Sequence, residues 1–545
     1  MERQVPENET LTIEFKSDQK QVSDDAIIDS VVAFANTEGG DLYLGVEDNG
    51  SITGIHPSHR DITRLAAFIA NKTIPPQSVR AELLDEEFPV IWIHVAKSRS
   101  IVASSSGKTQ RRQIKMDGTP ENVPMYPYEY NTRLSDLSLL DYSAQPVPYA
   151  DYSDLDPVQR EHLRGILRNQ NGEKALLELD DEDLDKALRL VISVDGKLVP
   201  TFTGILLIGR QERLREYVPT AEAAFISYQG TQITTNQTFT LPLLSSLERI
   251  FEYVEARNTE QEMQAGLIRM TIPDYDHRAV REAIINAFVH RDYTRMGRVL
   301  VQMDDDGLSV SNPGGFIEGV TVENIISVEP HGRNPALADA LKRIGMAERS
   351  GRGVDRIFEG SLIYGRPLPD YSESSTTSVR LFIPRGAPDE PFIRMISEEQ
   401  QRRGALLPFH SLLILNELRQ YRRMTARELA EYTHLPEAKV RAAAERMTEA
   451  GLLEATGSGR GRTYVLSAKA YQDKAAYVRQ TDIDAVRFPE LVMKLAEAKG
   501  SITRKDVAAL LHVTPSQAYR ILKKLEAGKL LVREGATRNT IYRKP

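Results

Sequence analysis

The chain has 545 residues, of which 41% are hydrophobic and 27% charged, with a formal net charge of −8 and no cysteine. This length exceeds what one hydrophobic core usually serves, so we expect about three to five domains. The lack of cysteine excludes disulfides, thiolate zinc sites and cysteine nucleophiles. The sequence shows no signal-peptide pattern and no apolar run of about 18 residues, so we expect a cytoplasmic protein with no membrane partner.

The first part of the chain predicts a mixed α/β domain. TLTIEFK at 10–16 has strand character, and a helix is predicted over 24–37, ending at two glycines. DLYLGVEDNGSITGI then alternates apolar and polar residues around an Asp-Asn-Gly turn, which is typical of a hairpin, and PVIWIHVAKS continues the sheet. The polar, glycine-bearing stretch 104–122 predicts an exposed basic loop, and PVPYADYSDLDP at 146–157 predicts a domain boundary.

The middle of the chain alternates helical and strand patterns. Residues 158–260 mix helices with two apolar segments, GILLIG and AAFISYQG, that we predict to be strands. REAIINAFVHRDY at 281–293 predicts an amphipathic helix, and RVLVQMDDDGLSVSNPGG predicts a hairpin. A loop-rich segment to about 333, a helix over 335–344, the element GRGVDRIFEG and a last strand, VRLFIP, follow in that order.

Charge is distributed unevenly along the chain. Residues 401–545 hold 27 Lys and Arg against 15 Asp and Glu, so this tail carries about +12 and the first 400 residues about −20. Two similar patterns of helix, short turn, second helix and hairpin begin at TARELAEYTHL and TRKDVAALLHV. This order is typical of winged helix-turn-helix units. The basic tail predicts polyanion binding, although the same charge also favours solubility.

The helix predicted at 281–293 carries two stripes. Its apolar residues recur at helical spacing, while Glu282, Asn286 and His290 lie four residues apart on a second, polar stripe. Two glycine elements follow it, NPGG at 312–315 and GRG at 351–353. Taken one at a time, the glycines are explained by turns and the polar stripe by solvation.

Taken together, a polar pair on a helix followed by two glycine elements resembles the ATPases of the gyrase, Hsp90, histidine-kinase and MutL superfamily, in the divergent form found in Schlafen-related proteins. The resemblance implies that Asn286 holds the Mg²⁺ that bridges the phosphates and that Glu282 orients or deprotonates the attacking water. Mg²⁺ prefers hard oxygen ligands, and transfer to water needs an acceptor beside the nucleophile. His290 follows this motif, which implies a structural or lid role rather than phosphotransfer.

The same resemblance assigns the other nucleotide contacts. The adenine-binding Asp-x-Gly of the family is here Asn-Pro-Gly, in which an amide replaces the carboxylate and still hydrogen-bonds an adenine edge. GRG matches the second glycine box, where backbone amides approach phosphate without an intervening side chain, and RNP at 333–335 falls in the lid region. The residues implied to bind ATP are therefore Asn286, Asn312, Gly314, Arg333, Gly351 and Gly353.

The N-terminal segment ETLTIEFK, with AFANTEGGDLYLGVEDNG after it, closely resembles the AlbA-like (AlbA_2) domain of Schlafen proteins. In that family two glutamates and a later aspartate form a metal-dependent nuclease centre, which implies Glu9, Glu14 and Asp48 as ligands of one or two cations, Mg²⁺ or Mn²⁺. Such cations activate water and stabilise charge on a scissile phosphate. Lys16 is implied to neutralise a phosphate oxygen.

A second interpretation of this domain remains open. Glu14 and Lys16 also fit alternate, outward positions of a strand, and Asp48 fits a turn that favours Asp. Many bacterial relatives resemble regulators in which the domain binds nucleic acid without known cleavage. In either case the basic residues predicted to hold a nucleic-acid backbone are Lys108, Arg111, Arg112 and Lys115.

The basic tail supplies further candidates for nucleic-acid contact. In a winged helix the second helix enters the major groove and the hairpin reaches phosphates or the minor groove. Winged helices also serve as protein–protein modules, but two basic copies in series favour DNA. The first unit offers Lys439, Arg441, Arg446, Arg460 and Arg462, and the second offers Gln517, Arg520, Lys523, Lys524 and Arg538.

We therefore predict a multidomain α/β and α+β protein with the following parts: a Schlafen AlbA-like domain at 1–145, an α/β connecting region at 146–260, a GHKL-like α/β sandwich ATP-binding domain at 261–390, and winged helices at 391–475 and 476–545. The predicted function is an ATP- and nucleic-acid-binding transcriptional regulator of duplex DNA. The alternative is a nucleotide-gated, metal-dependent nuclease acting on transfer RNA or DNA in stress or phage defence. In both cases we expect a homo-oligomer, most simply a dimer.

Overall fold

The structure is a computed structural model that forms two compact units, residues 1–142 and 143–545. Each unit is described by itself below. The residues that the structure describes are 5–84, 87–115, 117–170, 172–265, 268–329, 332–348, 351–467, 487–511, 515–534 and 540–544.

The first unit contains a four-stranded sheet with helices packed against it, and further strands that pair outside this sheet. The strands of the whole unit are β1 (Ile13–Lys16), β2 (Gly40–Leu44), β3 (Thr73–Ile74), β4 (Arg80–Leu84), β5 (Val90–Val95), β6 (Ala103–Ser104), β7 (Gln110–Ile114) and β8 (Pro120–Pro124). Its helices are α1 (Asp24–Ala35), α2 (Ile62–Lys72) and α3 (Pro127–Asp136). The sheet order is β1-β2-β5-β4, with β2 parallel to β1 and antiparallel to β5.

Helix α1 provides much of the core of this unit. The side chain of Ser23 accepts a hydrogen bond from the Ala26 amide and caps the helix, and two aspartates in the first turn suit the helix dipole. Apolar residues of α1 then pack with the sheet, including Ile27, Val31 and Phe34, each fully buried. This packing holds α1 beside Glu14 of β1.

The stretch 104–122, predicted to be an exposed loop, is instead an antiparallel hairpin of β7 and β8. The strands could not be predicted from this polar composition, because the hairpin has no apolar face of its own. It is stabilised by packing against α1. One of its residues, Arg112, is only 4% exposed. The basic stretch is therefore partly structural.

The second unit begins with an α/β region. Its strands to residue 384 are β9 (Val191–Val194), β10 (Lys197–Pro200), β11 (Ala223–Gln229), β12 (Gln232–Phe239), β13 (Glu260–Ala265), β14 (Ile268–Pro273), β15 (Val299–Met303), β16 (Gly307–Pro313) and β17 (Ser378–Pro384). Its helices to residue 403 are α4 (Pro157–Asn169), α5 (Asp181–Ala187), α6 (Phe202–Ile208), α7 (Gln211–Tyr217), α8 (Leu243–Glu255), α9 (His277–Val289), α10 (Pro335–Arg343), α11 (Gly353–Leu362) and α12 (Glu390–Arg403).

One five-stranded sheet organises this region, in the order β12-β11-β15-β16-β17. Strands β11 and β15 are parallel, and the other neighbours are antiparallel. Helix α9 packs on β15 and β16 and also contacts α8, α10 and α11. Because β11 and β12 precede residue 260 and belong to this same sheet, the predicted boundary at 260 divides a single structural layer.

The segment GILLIG, predicted to be a strand, lies in helix α6. Thr201 caps this helix by accepting a hydrogen bond from the Gly204 amide, 3.1 Å away. All seven residues of α6 are buried. A helix buried on every side is apolar on every side, so its sequence carries no helical period and is easily taken for a strand.

The tail forms two winged helices. The first consists of α13 (Phe409–Tyr421), β18 (Arg423–Thr425), α14 (Ala426–Thr433), α15 (Glu437–Glu449), β19 (Leu453–Thr456) and β20 (Thr463–Leu466). The second consists of α16 (Arg487–Lys499), β21 (Ile502–Thr503), α17 (Arg504–Leu511), α18 (Pro515–Ala527), β22 (Val532–Glu534) and β23 (Ile541–Arg543). Each has three helices and a small three-stranded sheet, so the fold class predicted from the sequence is confirmed.

Over the described parts of both units, no helix combines the length and the apolar character that crossing a membrane requires.

Candidate functional site

A cavity of about 210 Å³ lies beside helix α9 in the second unit. Helix α9 begins where Asp276 accepts hydrogen bonds from the amides of Arg278 and Ala279. One face of the helix packs into the core, and the polar stripe turns toward the cavity. The predicted nucleotide residues that line the cavity are Glu282, Asn286, Asn312, Gly351 and Gly353.

Glu282 is a buried acidic group of this nucleotide cavity, since the residue is only 7% exposed. Burial raises the pKa of its carboxyl, and the nearby charge of Glu348 raises it further. The charge of Arg356 and a hydrogen bond from the side chain of Asn286 oppose that rise. A buried carboxylate with a raised pKa is a stronger proton acceptor than an ordinary glutamate.

The second glycine element approaches Glu282 directly. Gly353 is the first residue of α11, and a Cβ at this position would collide with Oε1 of Glu282. Gly351 has a φ of +74°, in the left-handed region that favours glycine. Because both lie at the start of α11, backbone amides at the helix N-terminus face the nucleotide cavity, an arrangement suited to phosphate.

Asn312, the residue before the last of β16, lines the nucleotide cavity and is 4% exposed. Its Nδ2 donates to the carbonyl of Pro313 at 3.1 Å, which leaves Oδ1 as an acceptor. Gly314 follows with a φ of +96°, and a Cβ there would lie 2.8 Å from the Cβ of Asp292. Gly314 thus permits a tight turn, while Gly315 lines the cavity.

Arg333 occupies a different place from the one predicted. Its residue is 2% exposed, its Nη2 donates to the carbonyl of Gly315 at 3.1 Å, and its Nη1 lies 3.9 Å from the Asp292 carboxylate. It is not among the described residues that line the nucleotide cavity. The prediction of a phosphate contact is therefore corrected, and Arg333 holds the turn after β16.

Among the described residues that line the nucleotide cavity, sequence reasoning missed five polar side chains: Lys342 on α10, Tyr371, Glu329, Glu348 and Asp355. Lys342 supplies a cation beside the glycine elements, yet a lone lysine on a helix gives no sequence signal. His290 also lines the cavity, and burial lowers its pKa to about 4, with the charges of Arg333 and Lys342 adding to the effect. Its imidazole is therefore neutral at pH 7.

In the first unit the predicted carboxylates lie near each other but are engaged by protein groups. Glu14 is 3% exposed and bonds Arg112 Nη1, the hydroxyl of Ser30 and the amide of Asn122. Lys16 Nζ lies 2.6 Å from the same carboxylate. The acceptor sites of Glu14 are thus occupied, and its charge is already neutralised by a buried arginine.

Glu9 and Asp48 complete the predicted set. Glu9 accepts a hydrogen bond from the Phe15 amide at 2.7 Å, and burial raises its pKa, with smaller contributions from the charges of Glu14 and Asp48. Asp48 lies exposed on the turn after β2. Among the residues that the structure describes, no group of three or more His, Cys, Asp or Glu side chains is arranged to hold a metal ion. The residues therefore do not fit the metal centre implied by resemblance.

Arg112, predicted to contact nucleic acid, is buried among protein groups. Besides Glu14, its guanidinium donates to the backbone carbonyls of Thr10, Leu11 and Ile13. The other three basic residues are more accessible and have acidic partners: Lys108 with Asp29, Arg111 with Glu129 and Lys115 with Glu121. Arg112 is therefore corrected to a structural residue.

Replacing Arg112 by alanine should destabilise the first unit by about 3 kcal/mol, because it removes the buried cation of Glu14 and the donors to the Thr10, Leu11 and Ile13 carbonyls. The single tryptophan, Trp92, lies in β5 of this unit, so its fluorescence during urea unfolding reports this unit alone. Lys115→Ala, which removes an exposed charge from the same hairpin, is the matched control and should change the unfolding free energy by less than about 1 kcal/mol. Equal stability of both variants would contradict the structural role.

The predicted DNA residues of the first winged helix lie on the second helix of its motif, α15, and on the hairpin. Lys439 and Arg446 are exposed on α15. Arg441 pairs with Glu437, and Arg462 pairs with Glu445. The side chains of Arg460 and Gln517 and the whole of Arg538 lie outside the described residues.

The second winged helix places Arg520, Lys523 and Lys524 on α18. Arg520 contacts Glu417 of the first winged helix, and Lys524 contacts the ring of Tyr432. This face of α18 thus contacts the first winged helix through Arg520 and Lys524, while Lys523 and Lys524 are exposed.

Four family models match segments of the chain. They are described as Schlafen, AlbA_2 over residues 9–121; a domain of unknown function (DUF8451) over 133–224; the ATP-dependent DNA helicase recG C-terminal region (HATPase_c_4) over 297–383; and winged helix-turn-helix DNA-binding (HTH_24) over 410–454. The recG C-terminal match includes both glycine elements but begins after Glu282 and Asn286.

Solved structures add a similarity in fold. The DIP2311 protein from Corynebacterium diphtheriae is 22% identical, with a TM-score of 0.51, over 98% of this chain and 95% of that one. The mRNA-binding domain of elongation factor SelB from E. coli, solved with SECIS RNA, is 20% identical over 27% of this chain and 99% of that one, with a TM-score of 0.13. ScpB from Mycobacterium tuberculosis is 19% identical over 26% and 94%, with a TM-score of 0.10. Scores this low support no conclusion, whereas the first match indicates a shared fold.

These matches confirm the resemblance stated from the sequence. The ATPase-like match indicates ATP binding, and the winged-helix and AlbA_2 matches indicate nucleic-acid binding. The chain thus combines a Schlafen AlbA_2 domain, an ATPase-like domain similar to the recG C-terminal region and a winged helix-turn-helix domain.

Proposed function

We propose that this chain is an ATP-regulated DNA-binding protein that controls transcription in the cytoplasm. The observation that carries the nucleotide part is the cavity in which Glu282, Asn286, Asn312 and the Gly351–Gly353 element converge. A single cavity that gathers a carboxylate, two amides and a helix N-terminus supports a site for a nucleoside triphosphate.

The residues present fit a divalent cation at the phosphates. Asn286 offers an amide oxygen, and Glu282 lies one helical turn before it with a carboxylate. A bound Mg²⁺ would supply neutralisation of phosphate charge. Glu282, with its raised pKa, would accept the proton of an attacking water, and Lys342 would attract the phosphates.

The structure of Asn312 supports adenine as the base. Because one N–H of its Nδ2 is engaged by the Pro313 carbonyl, its Oδ1 and the second N–H remain for a ligand. The Oδ1 acceptor pairs with the exocyclic amine of adenine. The replacement of the family's aspartate by asparagine therefore keeps the polarity needed for ATP.

The proposed nucleotide site is tested by the thermal stability of the full chain. A ligand at a hundred-fold excess over its Kd stabilises the folded state by roughly 2.7 kcal/mol. ATP with Mg²⁺ should therefore raise the Tm of the unit that binds it by about 3 °C, and GTP with Mg²⁺ should raise it less. The same Tm with Mg²⁺ alone and with Mg²⁺ and ATP at millimolar concentration would contradict the proposal.

The DNA part of the proposal is supported by the two winged helices and by the net positive charge of the tail. Lys439 and Arg446 stand exposed on α15, the helix that enters the major groove in this type of domain. The nuclease alternative has less support, because Glu14 is engaged by Arg112, Lys16 and Asn122. We therefore derive no cleavage step from the N-terminal carboxylates.

We also expect a homodimer. One AlbA-like lobe needs a second copy to close a groove of the kind that Schlafen cores form, and ATPases of this type commonly pair when nucleotide orders the lid. DNA half-sites likewise favour two-fold dimers. Light scattering at micromolar concentration, with and without a non-hydrolysable ATP analogue and Mg²⁺, should give the mass of two chains when the analogue is present. A mass near one chain of 61.2 kDa in every condition would refute this expectation.

A further inference from the structure

The second winged helix turns its recognition helix toward the rest of the unit. On α18, the residues Ala518, Leu522 and Leu525 pack into the core of their own domain. Arg520 and Lys524 lie on the other face of the helix. In a winged helix that other face is the one that reads the major groove, so the contacts it makes here decide whether it is available to DNA.

Arg520 makes the central contact. Its Nη1 donates to Oε1 of Glu417 at 3.4 Å, and the Glu417 side chain, on α13 of the first winged helix, is 1% exposed. Asn416 donates to the same oxygen, also at 3.4 Å. Burial raises the pKa of Glu417, and the charge of Arg520 is the largest influence that opposes the rise. Losing Arg520 would therefore leave a buried carboxylate with little compensation.

Lys524 makes a second contact one turn further along α18. Its Nζ lies 5.8 Å from the centre of the Tyr432 ring, a cation–π geometry. Tyr432, on α14, packs in turn against Tyr421 at 4.6 Å between ring centres. The ring is thus held in place, and the lysine meets an aromatic face rather than solvent alone.

We propose that Glu417 and Tyr432 form a docking surface that holds the recognition helix of the second winged helix, so that this surface and duplex DNA compete for Arg520 and Lys524. The inference deepens the proposed function, on which it rests, by giving that function an internal inhibitor. The Glu417 carboxylate takes the place of a phosphate, and the tyrosine ring takes the place of a base or sugar face.

The docking surface is connected to the nucleotide cavity by packed elements. Helix α11, which begins with Gly353 in the cavity, packs against α13, which carries Glu417. A nucleotide bound at the start of α11 therefore acts on the helix that carries Glu417, and this coupling favours release of α18.

The test uses the full chain and a fluorescein-labelled 30-base-pair duplex of mixed sequence, with Kd measured by anisotropy. Glu417→Gln keeps the shape of the side chain but removes the charge that binds Arg520, so Kd should fall by about five-fold or more as the binding-competent fraction rises. Glu398→Gln removes an exposed carboxylate from α12 and is the matched control. It should leave Kd unchanged within a factor of about two.

A crosslink gives an independent measurement, since the chain has no cysteine of its own. Tyr432→Cys combined with Lys524→Cys, joined by a short bis-maleimide, should bind the duplex more weakly than the same protein before crosslinking. If Glu417→Gln does not fold, this comparison alone tests whether the docking surface competes with DNA. Equal Kd before and after crosslinking, or equal Kd for wild type and a folded Glu417→Gln, would overturn the competition.

The two proposals fail in different ways. If no variant binds the duplex even at low salt, the DNA-binding function is wrong and the competition falls with it. Efficient crosslinking between positions 432 and 524 in that case would still establish the contact itself.

Discussion

Replacing Asn286 by alanine should weaken the binding of ATP with Mg²⁺ by about ten-fold or more, because the change removes a hard oxygen ligand from the nucleotide cavity. Asn286 also donates to Glu282, so the variant loses the contact that helps to keep this carboxylate ionised. Titration calorimetry of the full chain measures the effect directly.

The control for this variant is Asn236→Ala, which removes the same side chain from an exposed position on β12 of the same unit. It should bind ATP as wild type does. Glu282→Gln should retain affinity but slow any hydrolysis by about 10²–10⁴-fold, since it removes the proton acceptor. Unchanged ATP affinity in Asn286→Ala would count against the assignment of this site.

A full chain that carries both Lys439→Ala and Arg446→Ala should bind duplex DNA about ten-fold more weakly at physiological salt. Both side chains are exposed on α15. If each contacts a phosphate, their loss should also reduce the slope of log K against log salt by roughly two. Anisotropy titrations at several salt concentrations give both quantities.

The matched control is Lys186→Ala with Arg249→Ala, which removes two positive charges from exposed positions on α5 and α8. This pair should change the affinity little, because it lies outside the winged helices. Equal losses of affinity in the two double variants would mean that overall charge, and not the surface of α15, determines binding.

The sequence predicts those elements whose pattern is set by a single exposed face. The β15–β16 hairpin and both winged helices fall where periodicity and turn residues place them, and helix α9 lies four residues earlier than the predicted 281–293. The nucleotide cavity could be predicted because its residues belong to short motifs that follow one another in a fixed order. These are the helix of Glu282 and Asn286 and the two glycine elements, and they converge in the structure.

Features that depend on burial could not be predicted from the sequence. The buried helix α6 has no polar face, so its sequence shows no helical period. The sequence around Arg112 is typical of an exposed segment, and only the folded hairpin places this arginine against Glu14. The sequence predicts a phosphate contact for Arg333, whereas Lys342, which the sequence does not single out, lines the cavity, because only the fold determines which cation faces it. Strand β11 pairs in parallel with β15, a partner about 75 residues away that no local pattern identifies.

The most direct test of the central claim, that a nucleotide site controls DNA binding in this chain, is the Kd for a labelled 30-base-pair duplex with and without a non-hydrolysable ATP analogue and Mg²⁺. We expect the analogue to lower the Kd of the wild type by about five-fold or more and to leave the Kd of Asn286→Ala unchanged. The same Kd for the wild type with and without the analogue, at concentrations that saturate the nucleotide site, would contradict the control of DNA binding by nucleotide.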